Sequence, residues 1–229
     1  MIRLHIIAEG DTEQRFVKNV LAPHLAAFNV FADARSVLTS RDKRTEKAYR
    51  GGVTNYEKAR NDIMSWLKED TNPECRFTTM FDLYALPNKF PGYAEAHLQQ
   101  DAYKKIEILE KYMKKDIGDN RFIPYIQLHE FEALILASPK KLGEEYLEHD
   151  QAIANLVAMM EGKNPELIND GPETAPSKRI LNEIPEYDKA MAGPAVAGKI
   201  GIKTLRERCR HFHEWLSALE QLNEKSTQE

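Results

Sequence analysis

Two hydrophobic periods alternate along the first part of the chain. Residues 2–8 (IRLHIIA) form an apolar, isoleucine-rich run that predicts a buried strand. It stops at the polar turn Glu9-Gly10-Asp11-Thr12-Glu13. From about 12 to 28 the spacing lengthens: Phe16, Val17, Val20, Leu21, His24, Leu25 and Phe28 recur at three- and four-residue steps. That predicts a helix, capped by Asp11 or Thr12 and kinked at Pro23. Residues 30–38 read as a second strand, and 39–52 as an exposed loop. Residues 54–69 read as an amphipathic helix with Tyr56, Ala59, Ile63, Trp66 and Leu67 inward. A third strand over 76–82 ends in Asp82 and runs into the loop LYALPNKFPGY. One long helix is expected over 94–115, with Leu98, Ala102, Ile106, Leu109 and Met113 inward. A fourth strand over 121–128 leads into a short helix opened by His129-Glu130-Phe131-Glu132.

Strands alternating with helices in this order predict an α/β fold with a mainly parallel central sheet flanked by helices, over residues 1–138. Residues 139–229 contain no convincing strand. They read as helices broken by Pro165, Gly171-Pro172, Pro185 and Gly193-Pro194, a helical C-terminal region packed on the α/β domain.

Composition narrows the class. At 229 residues, 42% hydrophobic and 30% charged, the chain has the profile of a globular protein with a sizeable core. No apolar run is long enough to span a membrane, and the N-terminus does not read as a signal peptide. Two widely separated cysteines exclude a disulfide framework and point to the cytoplasm. A net charge of −4 excludes a uniformly basic nucleic-acid binder, yet the charge is uneven. Arg41, Lys43, Arg44, Lys47 and Arg50 crowd one loop beside Gly51-Gly52, a candidate phosphate-contacting segment or simply a mobile surface loop. Residues 176–213 carry eight basic and four acidic side chains, a local +4, among them Lys178, Arg179, Lys189 and Lys199.

The candidate chemistry lies in the carboxylates. Glu9, Asp82 and Glu130 each sit at or just past the end of a predicted strand. In an open parallel sheet those ends share one edge, where ligands bind. Glu13 and Glu132 lie close by in sequence. Such a cluster repels itself unless protons or cations intervene, and oxygen ligands without cysteine suit Mg2+ or Mn2+. The plainer alternative is that these acids are ordinary helix N-terminal residues. Tyr84, Phe90 and Tyr93 either stack on bases or anchor their proline-bearing loop. Cys209-x-His211-x-His213 suggests zinc, but alternate positions on a helix point apart, so a structural role is the better reading.

These segments also carry a resemblance. IIAEGDTE is similar to the first strand and turn of Toprim domains, above all those of OLD-type nucleases. MFDLYALPNKFPGY and PYIQLHEFEALIL, with the C-terminal IPEYDKAMAGP and CRHFHEWL, resemble the Toprim-like family catalogued as domain of unknown function 4276 (DUF4276). The resemblance implies a Toprim-like fold and metal-dependent phosphodiester hydrolysis of nucleic acid, DNA in preference to RNA. It implies Glu9, Asp82 and Glu130 as catalytic acids and as metal ligands for Mg2+ or Mn2+, with Glu13 matching a second glutamate of the OLD-type group; Glu132, two residues after Glu130, is the further ligand candidate. A role in bacterial defence beside an ATPase partner is a further implication, and a homodimer stays open. Asp82-Leu83-Tyr84 departs from the Asp-x-Asp of many Toprim domains, so one ion, or a catalytically silent binding or scaffold subunit, stands as the alternative.

Overall fold

The computed structural model describes residues 1–41, 48–50, 53, 55–84, 86–168 and 171–225. Its strands are β1 (Ile2–Ala8), β2 (Val30–Ser36), β3 (Leu38–Arg41), β4 (Ala48–Arg50), β5 (Cys75–Asp82), β6 (Phe122–Ile123) and β7 (Ile126–Gln127). The helices of the first half are α1 (Asp11–Phe16), α2 (Ala22–Ala26), α3 (Tyr56–Glu69), α4 (Tyr93–His97), α5 (Ala102–Ile117) and α6 (Glu132–Ile135). Then come α7 (Asp150–Met160), α8 (Pro176–Glu183), α9 (Lys189–Arg208), α10 (Arg210–Glu220) and α11 (Leu222–Lys225).

The main sheet runs β2-β1-β5-β6, with β7 also pairing β5, and every pairing in it is parallel. Both faces are covered, which is why β1 is apolar almost throughout. Ile2, Leu4 and Ile6 point to one face and pack with Phe16, Val17, Leu21 and Leu25, and with Val196, Phe212 and Trp215 from the C-terminal helices. Ile7 and Phe77 point to the other face, under Ile63 and Trp66 of α3 and Leu109 and Met113 of α5. Trp215 ties α10 to the sheet. Its indole N–H donates to Thr78 Oγ1 at 3.0 Å, and its ring stacks on Tyr125 at 4.1 Å.

The α/β class with a parallel sheet flanked by helices is as the periodicity predicts, and no strand follows Gln127 among the described residues. Five local expectations need revision. The first helix is capped at Gly10, so Asp11 and Thr12 lie inside its first turn. The helix expected over 12–28 is α1 and α2 joined by a π-helical turn, Val17–Leu21. Pro23 has no N–H to return to the preceding turn, and the wider register absorbs the gap. The loop expected over 39–52 contains an antiparallel hairpin, β3 with β4. The single helix expected over 94–115 is broken into α4 and α5, because Asp101 caps α5 by accepting from the N–H groups of Tyr103 and Lys104. Leu98 falls in the break and is 81% exposed rather than inward. The strand expected over 121–128 is split by Pro124, which cannot donate to a ladder. Thr79 repairs the gap: its Oγ1 accepts from Tyr125 N–H and donates to Tyr125 O, both at 2.9 Å.

Candidate functional site

From β1 the chain moves outward to β2, then returns across β1 to β5. The winding direction therefore reverses between β1 and β5, and the crevice at the carboxyl ends of such a strand pair is where open α/β sheets bind ligands. Glu9 follows β1 directly and Asp82 ends β5. Glu9 spans the gap, its Oε2 accepting from Asp82 N–H at 2.8 Å and its Oε1 from Val53 N–H at 3.3 Å.

Three more carboxyl groups close on this point. Glu13, in the first turn of α1, reaches back to accept from Gly10 N–H at 2.8 Å. Glu130 accepts from Ser177 N–H at the start of α8, at 2.9 Å. Glu132, in the first turn of α6, accepts from Tyr187 O–H at 3.5 Å. Lys189, the first residue of α9, puts its ammonium 3.4 Å from Glu132 Oε2 and 3.7 Å from Glu130 Oε1. Gly193, one turn along α9, permits this approach, since a Cβ there would lie 3.1 Å from Tyr187 Oη and 3.5 Å from Thr12 Cγ2.

The electrostatics follow, among the described residues, from five acids sharing a poorly hydrated crevice with one ammonium. Burial, then the charges of Glu9, Glu13, Glu132 and Glu130, push Asp82 well above the usual carboxylate range. Burial and the Glu9 charge push Glu13 up to about 7, although hydrogen bonds to backbone N–H groups oppose the shift. Burial likewise pushes Glu132 up to about 7 against the pull of Lys189. Glu9 is raised by burial despite its two backbone donors. For Lys189 burial favours the neutral form, but attraction to Glu132, Glu130 and Asp82 exceeds it and the net shift is upward. Asp82 Oδ1 is buried and accepts no hydrogen bond among the described residues. A buried carboxyl oxygen in that state costs stability unless a proton or cation meets it.

The family's sequence profile, Domain of unknown function (DUF4276), matches residues 8–220. The chain belongs to this family. No curated protein matches it in sequence. Among solved structures, it is similar to the C-terminal region of the Burkholderia pseudomallei OLD protein at 16% identity and a TM-score of 0.44, covering 96% of this chain and 99% of that one. It is also similar to the C-terminal region of the Xanthomonas campestris pv. campestris OLD protein, at 16% identity and a TM-score of 0.41, covering 95% of each chain. Likeness at that level carries no argument about chemistry.

This DUF4276 chain thus gathers all five acids singled out in the sequence, Glu9, Glu13, Asp82, Glu130 and Glu132. Among the described residues, however, no three His, Cys, Asp or Glu side chains stand in a group that could hold a metal ion as they are. Backbone donors already engage both oxygens of Glu9, and Lys189 faces Glu130 and Glu132.

Of Lys178, Arg179, Lys189 and Lys199, only Lys189 touches the acids. Lys178 is exposed on α8, next to the Ser177 that holds Glu130. Arg179 turns its guanidinium to the carbonyls of Thr174 and Ile168. Lys199 pairs with Glu145 at 2.6 Å, about 15 Å along α9 from Lys189. Arg41 and Arg50 belong to the hairpin strands, while Lys43, Arg44 and Lys47 lie outside the described residues. The hairpin is rooted at the acids: Val37 N–H bonds Ala8 O just before β3, and Val53 N–H bonds Glu9 just after β4.

The remaining candidates separate. Phe90 is buried edge-on against Tyr56, so it anchors its loop, whereas Tyr84 is 37% exposed. Cys209 is buried, His211 bonds Glu110 and stacks on Tyr125, and His213 accepts from Arg206. Sequence reasoning overlooked Ser177, Val53 and Tyr187. The first two act through backbone N–H groups and leave no side-chain signal. Lys189 had one, because Asp188 is an N-cap accepting from Ala190 and Met191 and fixes Lys189 at a helix start. No described helix is long and apolar enough to cross a membrane.

Proposed function

We propose that this DUF4276 protein hydrolyses phosphodiester bonds in nucleic acid, DNA in preference to RNA, with Mg2+ or Mn2+ as cofactor. The observation that carries the reading is the buried Asp82 oxygen, unpartnered among the described residues, with four further carboxyl groups at the switch point of a parallel sheet. The donor set, all carboxylate oxygen, fits a hard cation. Asp82 offers an unused oxygen, and a carboxylate that accepts one hydrogen bond per oxygen keeps further lone pairs. Asp82, Glu9 and Glu130 would hold the cation, with Glu13 and Glu132 beside them. A bound divalent ion there supplies charge neutralisation at a phosphate and a more acidic water.

The chain's own groups have further parts. Glu13 and Glu132, each near pKa 7, take up or release a proton at neutral pH, as general acid–base chemistry needs. Lys189 is the cation positioned to meet charge developing on phosphate oxygens. The basic hairpin segment, with Arg41, Lys43, Arg44, Lys47 and Arg50, would track the backbone of the substrate. An ATPase partner, a homodimer, a cytoplasmic place and a role in bacterial defence belong to the same proposal and rest on family resemblance. A second reading, a silent binding subunit, is favoured by one feature: Lys189 already compensates Glu130 and Glu132, and among the described residues no three acids stand in a group that could hold an ion.

Mn2+ binding followed by electron paramagnetic resonance separates the two. The hydrolase reading expects binding at pH 8 that weakens at least tenfold by pH 5.5, as the acids take up protons, and that is lost in Asp82→Ala. Wild-type protein that binds no Mn2+ at pH 8 supports the silent subunit.

A further inference from the structure

A cavity of about 290 Å3 is lined in part by the chain neighbours of two of the acids. Past Asp82 the chain stays paired with the segment leading to Glu130: Leu83 N–H donates to Gln127 O at 2.9 Å and Tyr84 N–H to His129 O at 2.8 Å. Leu83, Tyr84 and His129, chain neighbours of Asp82 and Glu130, line the cavity. Leu83 and His129 are thus each one residue, ~4 Å of chain, from Asp82 and Glu130.

Its lining has two characters. Leu86 and Leu109 are buried and apolar. Around them stand the rings of Tyr84, Tyr93 and His97 and the ammonium-bearing Lys105. Tyr93 and His97 stack on each other, centroids 5.5 Å apart and planes within 12°. Their helix is seated firmly on α5. Gly92, at φ 77°, lies so close to Tyr112 that a Cβ would come 2.7 Å from its ring. The volume is at the small end for ligand pockets, which span ~300–1,000 Å3, enough for a ring system but not for a duplex.

We propose that this cavity seats one unpaired nucleobase next to the scissile phosphate, so that the substrate strand is single-stranded at the cut. The inference rests on the hydrolase reading of the acids and adds the form of the substrate. A π-face stacks on Tyr84 or Tyr93 whatever the base, while Lys105 offers charge to the flanking phosphate. A paired base is already stacked on both sides and enters only after extrusion, at a cost that an unpaired base avoids.

The test uses an oligonucleotide carrying one 2-aminopurine, whose fluorescence is quenched on stacking, as a single strand and as a duplex, with Ca2+ in place of Mg2+. Wild type should bind the single strand more tightly than the duplex and quench the probe. Tyr93→Ala and Tyr84→Ala should together weaken single-strand binding about tenfold or more and remove the quench, with duplex binding unchanged. Tyr93→Phe should keep both, and circular dichroism checks that each variant is folded. Equal affinity for the two forms, or quenching that survives both alanine variants, overturns the inference. So does a free purine mononucleotide binding as tightly as the oligonucleotide, which would make this a small-molecule pocket. Mg2+-dependent cutting of duplex that is indifferent to both tyrosines removes this inference alone. A protein that neither binds nor cuts either form removes the hydrolase reading with it.

Discussion

Asp82 sits where the backbone demands a strand end and the electrostatics resist a charge. One of its oxygens is buried without a partner among the described residues, and four other acids face it. The same conflict raises Glu13 and Glu132 from 4.5 to about 7. Their sign is therefore fixed. The folded protein holds protons that the unfolded chain releases, so the stability these groups contribute is complete below pH ~4.5 and is lost as pH rises through ~7. His5 adds to the trend. Burial opposes its protonation, but Asp33 and Asp70 raise its pKa above 6.5, so its contribution also fades as pH rises. Without divalent ions, the urea midpoint should fall between pH 5 and pH 8, and Mg2+ should reverse part of the fall. Asp82→Asn should raise the urea midpoint at pH 8, and by less at pH 5. A midpoint that is flat or rises across this range would mean that the acids are not crowded as described. Much of this was legible in the sequence, because a carboxylate at the end of a buried strand has few places to go. That Glu9 spends both oxygens on backbone N–H groups was not legible, since Val53 and Asp82 donate without any side-chain signature.

At the level of elements, periodicity located strands and helices well and their interruptions poorly. Each interruption is a polar event rather than a hydrophobic one. Asp101 ends one helix pattern and starts α5 by capping, although the apolar spacing runs on through Leu98. Pro124 breaks the last strand, and only Thr79, 45 residues earlier in sequence, tells why the sheet tolerates the break. Thr79 and Tyr125 are fully buried, so no water replaces the hydroxyl. Thr79→Val keeps the shape and removes both bonds, leaving Tyr125 N–H and C=O without that partner. It should cost about 1–3 kcal/mol in urea unfolding with an unchanged slope. A loss under ~0.5 kcal/mol would show that the break at Pro124 is satisfied in another way. The hairpin of β3 and β4 was hidden for a similar reason, since its sequence carries charges rather than alternating apolar residues.

For the molecule as a whole, the C-terminal helices complete the site as well as the core. They cover one face of the sheet and deliver Lys189 and Ser177 to acids that belong to the strand ends. Trp215→Ala removes a nearly buried ring, its bond to Thr78 and its stack on Tyr125. It should cost about 3–5 kcal/mol, with sheet and C-terminal helices still unfolding in one transition. Two transitions in far-UV circular dichroism would mean that the helices are an independent unit. The central claim is that the acids around Asp82 are catalytic. Its most direct test is cleavage of end-labelled single- and double-stranded DNA at pH 8 with Mg2+ or Mn2+, comparing wild type with Asp82→Ala after both are shown to be folded. The account predicts cleavage by wild type that requires the divalent ion, with loss of at least about a hundredfold in Asp82→Ala. Cleavage at the wild-type rate by Asp82→Ala would contradict it.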